Sequence, residues 1–299
     1  MDTLLVIGAT SKVGTTLVPA ALKTRSVRVA TRTPDGPTAR QLAEAGAEVV
    51  AMDLRDRRSI DAACVGVGQV VLSAHAFGGK GDNNTQTVDR DGQQSFIEAA
   101  KAAGLQRVVL VSVVGASPDA PMALFRAKWQ TEQALAASGM QWTSVRATAF
   151  METWASLLGT PVLAGKRALV FGRGDNPINF VSATDVAALV LAVLDDPRSF
   201  GRNIEIGGLE NLTMNEVVAR FGAAVGATPR VRHVPIGLMR AARGTVGRFA
   251  KPVGEQLTAG ISMATAPLTF NPTSTLAEWP VPSTNLDAVI ARMALQRNI

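Results

Sequence analysis

The first half of the chain alternates short runs of apolar, often β-branched residues with longer amphipathic stretches. The apolar runs predict six strands, and most are continuous enough for parallel strands that are buried on both faces. These strands are predicted over residues 3–8, 26–31, 47–52, 69–74, 107–114 and 141–147. The stretches between them predict helices over 13–24, 37–45, 58–64, 85–103 and 123–138. Such alternation indicates an α/β fold with a doubly wound parallel sheet.

The pattern is less regular after residue 150. Residues 168–194 predict a hairpin followed by a helix that begins at Ser182 or Thr184. Residues 203–208 predict a further strand. The stretch 212–226 predicts a helix that Thr213 opens, with Glu216 three positions later as in a capping box.

Two domains are expected from this change of pattern. Residues 1–150 hold the regular alternation and predict a Rossmann-type domain. Because the first strand of this domain ends in a glycine-spaced turn at residues 8–14, we expect it to be the one that binds a dinucleotide. Residues 151–299 would supply the remaining sheet elements and a smaller C-terminal substrate lobe. That lobe is expected mainly over 229–282, because this segment is rich in Pro, Gly and Thr and predicts helices mixed with irregular chain.

Composition narrows the class of protein. Of the 299 residues, 47% are apolar, yet no uninterrupted run approaches the ~18 residues of a membrane span. The N-terminus shows no basic region or small-residue cleavage site, so we expect a cytoplasmic protein without a signal peptide or membrane association. The net charge of +6 comes from scattered arginines. This charge tolerates an anionic ligand but does not indicate nucleic-acid binding, which favours a concentrated basic stripe.

Three residue counts limit the chemistry. Cys64 is the single cysteine, so an internal disulfide is excluded. The only histidines are His75 and His233, and we therefore expect no structural zinc or other metal site. The chain contains no tyrosine at all.

A glycine-spaced turn between the first strand and the first helix indicates a phosphate site. Residues 8–14 read GATSKVG, with Gly8, Ser11 and Gly14 at three-residue intervals. Gly8 allows a tight turn, Gly14 lets the helix pack close to the sheet, and the helix N-terminus offers free N–H groups to a pyrophosphate. Ser11 replaces the usual middle glycine, but its hydroxyl can donate to a phosphate. The predicted cofactor-binding residues of this turn are Gly8, Thr10, Ser11, Lys12, Val13 and Gly14.

The end of the second strand indicates which dinucleotide binds. NAD-binding sites place an acidic residue about 20 positions beyond the glycines, where it holds the ribose 2′-hydroxyl. Here the strand ends in VATRTPDG, and Arg32 occupies that place. A guanidinium suits a 2′-phosphate, and Lys12 could approach the same group, so we predict NADP(H). Two alternatives remain: Asp35 could favour NAD, or both cations could simply be solvated.

With these residues the chain resembles the NmrA-like and isoflavone-reductase-like branch of the atypical short-chain dehydrogenase/reductase family. The resemblance covers roughly residues 3–220. Its motifs are GATSKVG, ATRTP, AMDLRD, DGQQSFIEAAKAAGLQRVVLVSVVGA, LFRAKWQTEQALAASGMQWTSVRATAFMET and NFVSATDVAALV.

The resemblance implies positions for further cofactor contacts. Asp53 and Leu54 would lie beside the adenine. The segment 73–75, which comprises Ser73, Ala74 and His75, would run under the cofactor near the nicotinamide ribose. Lys128 matches the lysine of the family's Phe-x-x-Lys pattern, and Phe150 and Met151 would border the nicotinamide and the substrate.

The same resemblance suggests catalytic residues, but the tyrosine that the larger superfamily uses is missing from this chain. The larger superfamily uses a Tyr-x-x-x-Lys pair, but Leu124 stands four residues before Lys128. Lys128 is therefore the leading catalytic candidate, because a cation there can stabilise charge that develops on a carbonyl oxygen. Ser112 matches the superfamily's serine but could simply cap a strand. His75 could be a general acid or only a packed side chain.

These observations predict an NADPH-dependent reductase. Its small-molecule substrate would be a largely apolar carbonyl, quinone, imine or conjugated alkene. We expect its pocket between the C-terminal ends of the strands and the lobe at 229–282. A non-catalytic NADP(H)-sensing regulator is the main alternative, because tyrosine is missing, and a structural subunit with a tightly bound cofactor is another. A homodimer is compatible with the sequence.

Overall fold

The computed structural model describes residues 3–297, and a seven-strand parallel sheet flanked by helices forms its centre. The strands of this sheet are β1 Thr3–Ile7, β2 Val27–Thr31, β3 Glu48–Ala51, β4 Val67–Leu72, β5 Arg107–Val113, β6 Gln141–Ala147 and β10 Arg202–Ile206. They lie in the order β3-β2-β1-β4-β5-β6-β10. The six strands predicted before residue 150 are all present, and the α/β fold is confirmed.

The strand order reverses between β1 and β4, which creates the crevice where such sheets bind ligands. β1 pairs with β2 on one side and with β4 on the other, both in parallel register. Ile7 lies opposite Leu72 at the carboxyl ends of these two strands. The segments that follow Ile7 and Leu72 therefore lie close together at this edge of the sheet.

The helices between these strands begin and end close to the predicted positions. They are α1 Lys12–Ala21, α2 Pro37–Glu44, α3 Arg57–Cys64, α4 Gln93–Ala102, α5 Ala123–Ala136 and, later in the chain, α7 Ala183–Leu194. One difference matters for function: the helix predicted over 85–103 begins as a π-helix, Thr85–Gly92, and only then becomes α4. The Asn84 side chain caps this π-helix by accepting hydrogen bonds from the backbone N–H groups of Gln86 and Thr87.

The chain divides into two compact units. The first contains the residues up to Ala147 together with 186–205 and 279–281, and the second contains 148–185, 206–278 and the residues from Pro282 onward. In the first unit, apolar side chains from β4, β5 and α4 form a buried core that includes Leu72, Leu110 and Phe96. The division at residue 150 into a cofactor domain and a substrate lobe stays a prediction.

The second unit holds short strands in two small sheets. They are β7 Ala149–Phe150, β8 Ala168–Phe171, β9 Ile178–Val181, β11 Asn211–Leu212 and β12 Val231–Val234. One sheet has the order β11-β9-β7, and the other pairs β12 with β8 in parallel. The predicted hairpin between β8 and β9 is therefore wrong. Each strand forms its backbone hydrogen bonds with a partner that is remote in the sequence. The local pattern of residues could not indicate these partners.

The second unit also contains helices. They are α6 Met151–Leu163, α8 Met214–Ala224, α9 Ile236–Gly244, α10 Val246–Phe249, α11 Lys251–Thr265, α12 Thr273–Glu278 and α13 Leu286–Arg297. The predicted capping box of α8 is confirmed, because Thr213 Oγ1 accepts from the Glu216 backbone while Glu216 Oε2 accepts from the Thr213 backbone. Within residues 3–297, no helix has the length and apolar character needed to cross a membrane.

Candidate cofactor-binding site

The turn after β1 lies directly against the end of β4. Gly8 has a φ of +91°, a left-handed conformation that side chains rarely adopt. A Cβ atom on Gly8 would lie 2.6 Å from the backbone nitrogen of Ala74 and 2.8 Å from the carbonyl carbon of Ser73. A Cβ on Gly14 would overlap the backbone of Ala9. Both glycines are therefore needed for close backbone approach, as the spacing predicted.

Ser11 has a structural role in this turn. It is the N-cap residue of α1, and its Oγ accepts a hydrogen bond of 3.1 Å from the Gly14 backbone N–H. A capping hydroxyl uses its oxygen as acceptor, so its hydrogen stays available to donate to an anion. Thr10 and Lys12 are exposed beside it, while Val13 is buried under the helix. The turn thus combines a helix N-terminus with polar side chains that face solvent.

Arg32 follows β2 and contacts a residue that sequence analysis missed. Its Nη1 donates a 2.6 Å hydrogen bond to Oδ1 of Asn83, which lies 51 positions away in the segment between β4 and the π-helix. Arg32 is exposed, and Asn83 is half-buried. No periodicity marks Asn83, and only the run of polar residues before the π-helix hints at a functional loop.

The residues expected near the adenine lie in the loop after β3. Asp53 is held by Arg55, whose Nη2 lies 2.5 Å from Oδ2 of Asp53. This hydrogen-bonded guanidinium lowers the pKa of the Asp53 carboxyl from its ordinary value. Leu54 is buried. It lies close to Gly92 at the end of the π-helix, where an added Cβ would lie 2.8 Å from the Leu54 carbonyl oxygen.

Several side chains converge on the backbone that follows β4. Ser73 is buried, and its Oγ donates to the carbonyl oxygen of Ile7 at 3.2 Å. The next carbonyl, that of Ala74, accepts hydrogen bonds from Lys128 Nζ at 3.2 Å and from Gln93 Nε2 at 3.0 Å. Gly8 and Lys128 therefore contact the same residue, Ala74.

Lys128 is buried, with only 3% of its surface exposed. Oδ1 of Asp89, on the π-helix, lies 3.9 Å from its Nζ, and Oδ2 of Asp89 accepts from the Ala76 backbone at 2.9 Å. Burial lowers the pKa of Lys128 from its ordinary value, whereas the charges of Asp89 and Glu132 oppose that shift. Asp89 and Gln93 were not among the predicted site residues, although both belong to a run of polar residues over 85–95 that only Val88 and Gly92 interrupt.

A second ion pair, between the buried Glu132 and the half-buried Arg146, fixes the helix that carries Lys128. Glu132, one turn further along α5, is 1% exposed. It accepts hydrogen bonds from Ser144 Oγ at 2.7 Å and from Arg146 Nε at 2.9 Å, both on β6. These bonds tie α5 to the sheet, so Lys128 is held in place by its own helix as well as by Ala74.

His75 borders the same cluster. His75 is exposed to solvent on one side, and partial desolvation together with the charge of Lys128 lowers the pKa of His75 to about 4. The Phe77 backbone N–H donates to Nδ1 at 3.4 Å, which requires an unprotonated nitrogen there. At neutral pH the imidazole is uncharged.

The two remaining predicted residues lie on strands β5 and β7. Ser112, in β5, is 1% exposed, and its Oγ has no hydrogen-bond partner within the described part of the chain. Phe150 forms the end of β7 and belongs to the second unit, where it is half-buried.

Comparison with known proteins identifies the family. The family model described as "NmrA-like family" matches residues 1–291. The chain belongs to the NmrA-like family. This confirms the resemblance inferred from the motifs, and it extends over the C-terminal part that those motifs left uncovered.

Characterised relatives of this NmrA-like protein include reductases. It is 29% identical over 246 residues to an NAD(P)H azoreductase of Xenophilus azovorans, which covers 82% of this chain and 80% of the relative. It is 31% identical over 253 residues to the (4-alkanoyl-5-oxo-2,5-dihydrofuran-3-yl)methyl phosphate reductase of Streptomyces griseus, with 84% and 83% covered. An NADPH complex of an NADPH-dependent quinone oxidoreductase from Escherichia coli has the same fold, with a TM-score of 0.78 at 21% identity over 97% of this chain and 99% of that one.

Proposed function

We propose that this protein is an NADPH-dependent reductase that transfers hydride to a small, largely apolar acceptor. The acceptor would be a carbonyl, quinone, imine or conjugated alkene. One observation carries the proposal: the glycine turn and the buried ammonium of Lys128 both contact Ala74 at the end of β4. The reductase names of the two relatives, at 29% and 31% identity, support the same class of reaction.

The residues at the crevice fit a dinucleotide. A side chain at Gly8 or Gly14 would fill the space that the turn needs, and the N-terminus of α1 lies directly behind it. Gly8, Thr10, Ser11, Lys12, Val13 and Gly14 would hold the pyrophosphate, Arg32 the 2′-phosphate, and Asp53 with Leu54 the adenine side. Ser73, Ala74, His75, Lys128 and Phe150 would contact the nicotinamide half. When bound, reduced nicotinamide supplies a hydride.

Lys128 is the residue that we assign to charge stabilisation. A fixed ammonium in a water-poor site stabilises the negative charge that develops on an acceptor oxygen or nitrogen as hydride arrives. Its Nζ carries three N–H groups, and Ala74 accepts from Nζ at 3.2 Å. The remaining N–H groups can bind a ribose hydroxyl or the acceptor.

The proton donor must differ from that of the larger superfamily, because the chain has no tyrosine. His75 is uncharged at neutral pH, since its pKa is lowered to about 4, and it is therefore a poor acid. Burial lowers the pKa of Lys128, which makes its ammonium a stronger acid than an exposed lysine. We infer that Lys128 donates the proton, directly or through a ribose hydroxyl. Ser112 is then a hydrogen-bond donor to the substrate, not an acid.

A panel of acceptors tests this function. The purified protein is first titrated with NADPH, and then mixed with NADPH and quinones, azo dyes, enones, aldehydes or cyclic imines while the loss of NADPH absorbance is followed. We expect tight NADPH binding and turnover of at least one acceptor class. Tight binding with no turnover of any acceptor would favour the sensing regulator instead, and absence of binding would overturn both.

A further inference from the structure

The contact between Arg32 and Asn83 joins two loops at the crevice. Arg32 follows β2, and Asn83 lies just before the cap of the π-helix. The 2.6 Å distance between Nη1 and Oδ1 is that of a charge-assisted hydrogen bond. The guanidinium itself stays exposed, so it can still meet an anion from solvent.

Asn83 is held by its own loop. Its backbone N–H donates to the carbonyl oxygen of Lys80 at 3.1 Å, which closes a turn. The neighbouring Asn84 donates from Nδ2 to the carbonyl oxygen of Gly81 at 2.7 Å and also caps the π-helix. A Cβ on Gly79 would overlap the Asn83 carbonyl oxygen. The loop therefore presents the Asn83 amide at a defined position beside Arg32.

The acidic groups of this region are engaged by another cation. Asp53 is hydrogen-bonded to Arg55, and the charge of Asp82 also acts on Arg55. Asn83 contacts Arg32 with a neutral amide and so adds no negative charge beside the guanidinium, on which the charge of the Asp53 carboxylate already acts. A carboxylate at position 83 would form an ion pair and compete with any incoming phosphate.

We propose that Asn83 determines the preference for NADPH over NADH, by orienting the Arg32 guanidinium toward the 2′-phosphate without adding a negative charge beside it. This inference rests on the proposed function and deepens it. An amide can also rotate to donate from Nδ2 once a phosphate takes the guanidinium, whereas an ionised carboxylate has no donor. Asn83 is a positioning residue that acts through Arg32.

The test is binding, so it does not depend on turnover. NADPH and NADH are titrated separately against the parent and the variants Asn83→Asp, Asn83→Ala and Arg32→Ala. Gln86→Glu is the matched control, because it adds the same charge at an exposed position of the neighbouring π-helix. Thermal unfolding of each variant checks that the fold is kept.

We expect Asn83→Asp to lower the ratio of NADPH to NADH affinity by about tenfold or more, mainly through weaker NADPH binding, because a charge-assisted contact is replaced by competition. Asn83→Ala should lower it by about threefold, since the charge remains and only its orientation is lost. Gln86→Glu should change it by less than about twofold. The ratio in Arg32→Ala should not fall further when Asn83→Asp is added.

Three results would count against the inference, and they differ from one another. If Arg32→Ala lowers the ratio but Asn83→Asp keeps it, the role of Asn83 is wrong while NADPH binding stands. If Gln86→Glu lowers the affinity ratio as much as Asn83→Asp, the effect comes from any added negative charge near the site and not from the contact of residue 83 with Arg32. If the parent binds neither dinucleotide, the proposed function fails together with the inference.

Discussion

The two ends of the candidate site are built in opposite ways. At the proposed phosphate end, backbone groups would do most of the binding: Gly8 and Gly14 allow close approach, and the start of α1 presents its N–H groups. At the Lys128 end, side chains from the π-helix, α4 and α5 meet in the interior, and Asp89, Gln93 and Lys128 are each at most 3% exposed.

This difference predicts different sensitivity to substitution. A site built from backbone groups tolerates side-chain substitutions that preserve the turn conformation, because the backbone N–H groups supply the hydrogen-bond donors. A buried polar cluster does not, because removing one member leaves the others desolvated and without a partner. The nicotinamide end should therefore fail at single side chains, while the phosphate end should fail only where a Cβ cannot fit.

The largest effect is expected from Lys128→Met, which keeps the side-chain length and removes the charge. Loss of one preorganised donor typically lowers turnover by about 10²–10³-fold. The measurement is steady-state NADPH oxidation with the best acceptor of the panel. Lys101→Met is the control, because Lys101 is an exposed lysine on α4 and should leave turnover unchanged. Full turnover by the Lys128→Met variant would contradict the role assigned to Lys128, although the protein would still be a reductase.

A smaller effect is expected at Ser11. Replacing an N-cap serine by alanine costs about 1 kcal/mol of unfolding free energy, and replacing it by glycine only a few tenths. Ser11→Gly should also bind NADPH about as tightly as the parent, since the N–H groups of α1 remain. Urea unfolding and NADPH titration measure the two quantities. Much weaker NADPH binding by a stable Ser11→Gly protein would mean that the Ser11 hydroxyl, and not the backbone N–H groups, binds the phosphate.

The smallest effect is the pH dependence that His75 contributes to stability. Between its ordinary pKa of 6.5 and the folded-state pKa of about 4, the unfolded chain binds a proton that the folded chain does not. The free energy of unfolding should therefore fall as pH decreases through this window, and His75→Gln should reduce that fall. The effect should be small because the ring reaches solvent. Urea unfolding at pH 7, 5.5 and 4.5, with His233→Gln as control, measures it; identical pH profiles for parent and His75→Gln would exclude the desolvated imidazole.

Some structural features had no local signal in the sequence. The segment 172–177 looks like a hairpin turn. Nevertheless β8 pairs with β12 and β9 with β11, because the pairing of a strand depends on partner strands that lie much further along the sequence. The π-helix reads as ordinary helix, since its apolar spacing differs little over two turns. Asn83 has no distinguishing pattern, because its partner Arg32 lies 51 positions away.

The sequence by itself determined the parallel α/β fold, the glycine turn after β1 and the family, because each depends on local spacing: apolar runs, glycine intervals and contiguous motifs. It also excluded a tyrosine mechanism, since composition alone decides that. Only the tertiary structure decided that Asp89 and Gln93 surround Lys128, that Ala74 joins this cluster to Gly8, and that Asn83 holds Arg32. Those contacts form between elements that are distant in the chain, and the free energy of burying a charge depends on neighbours that no single stretch of sequence contains.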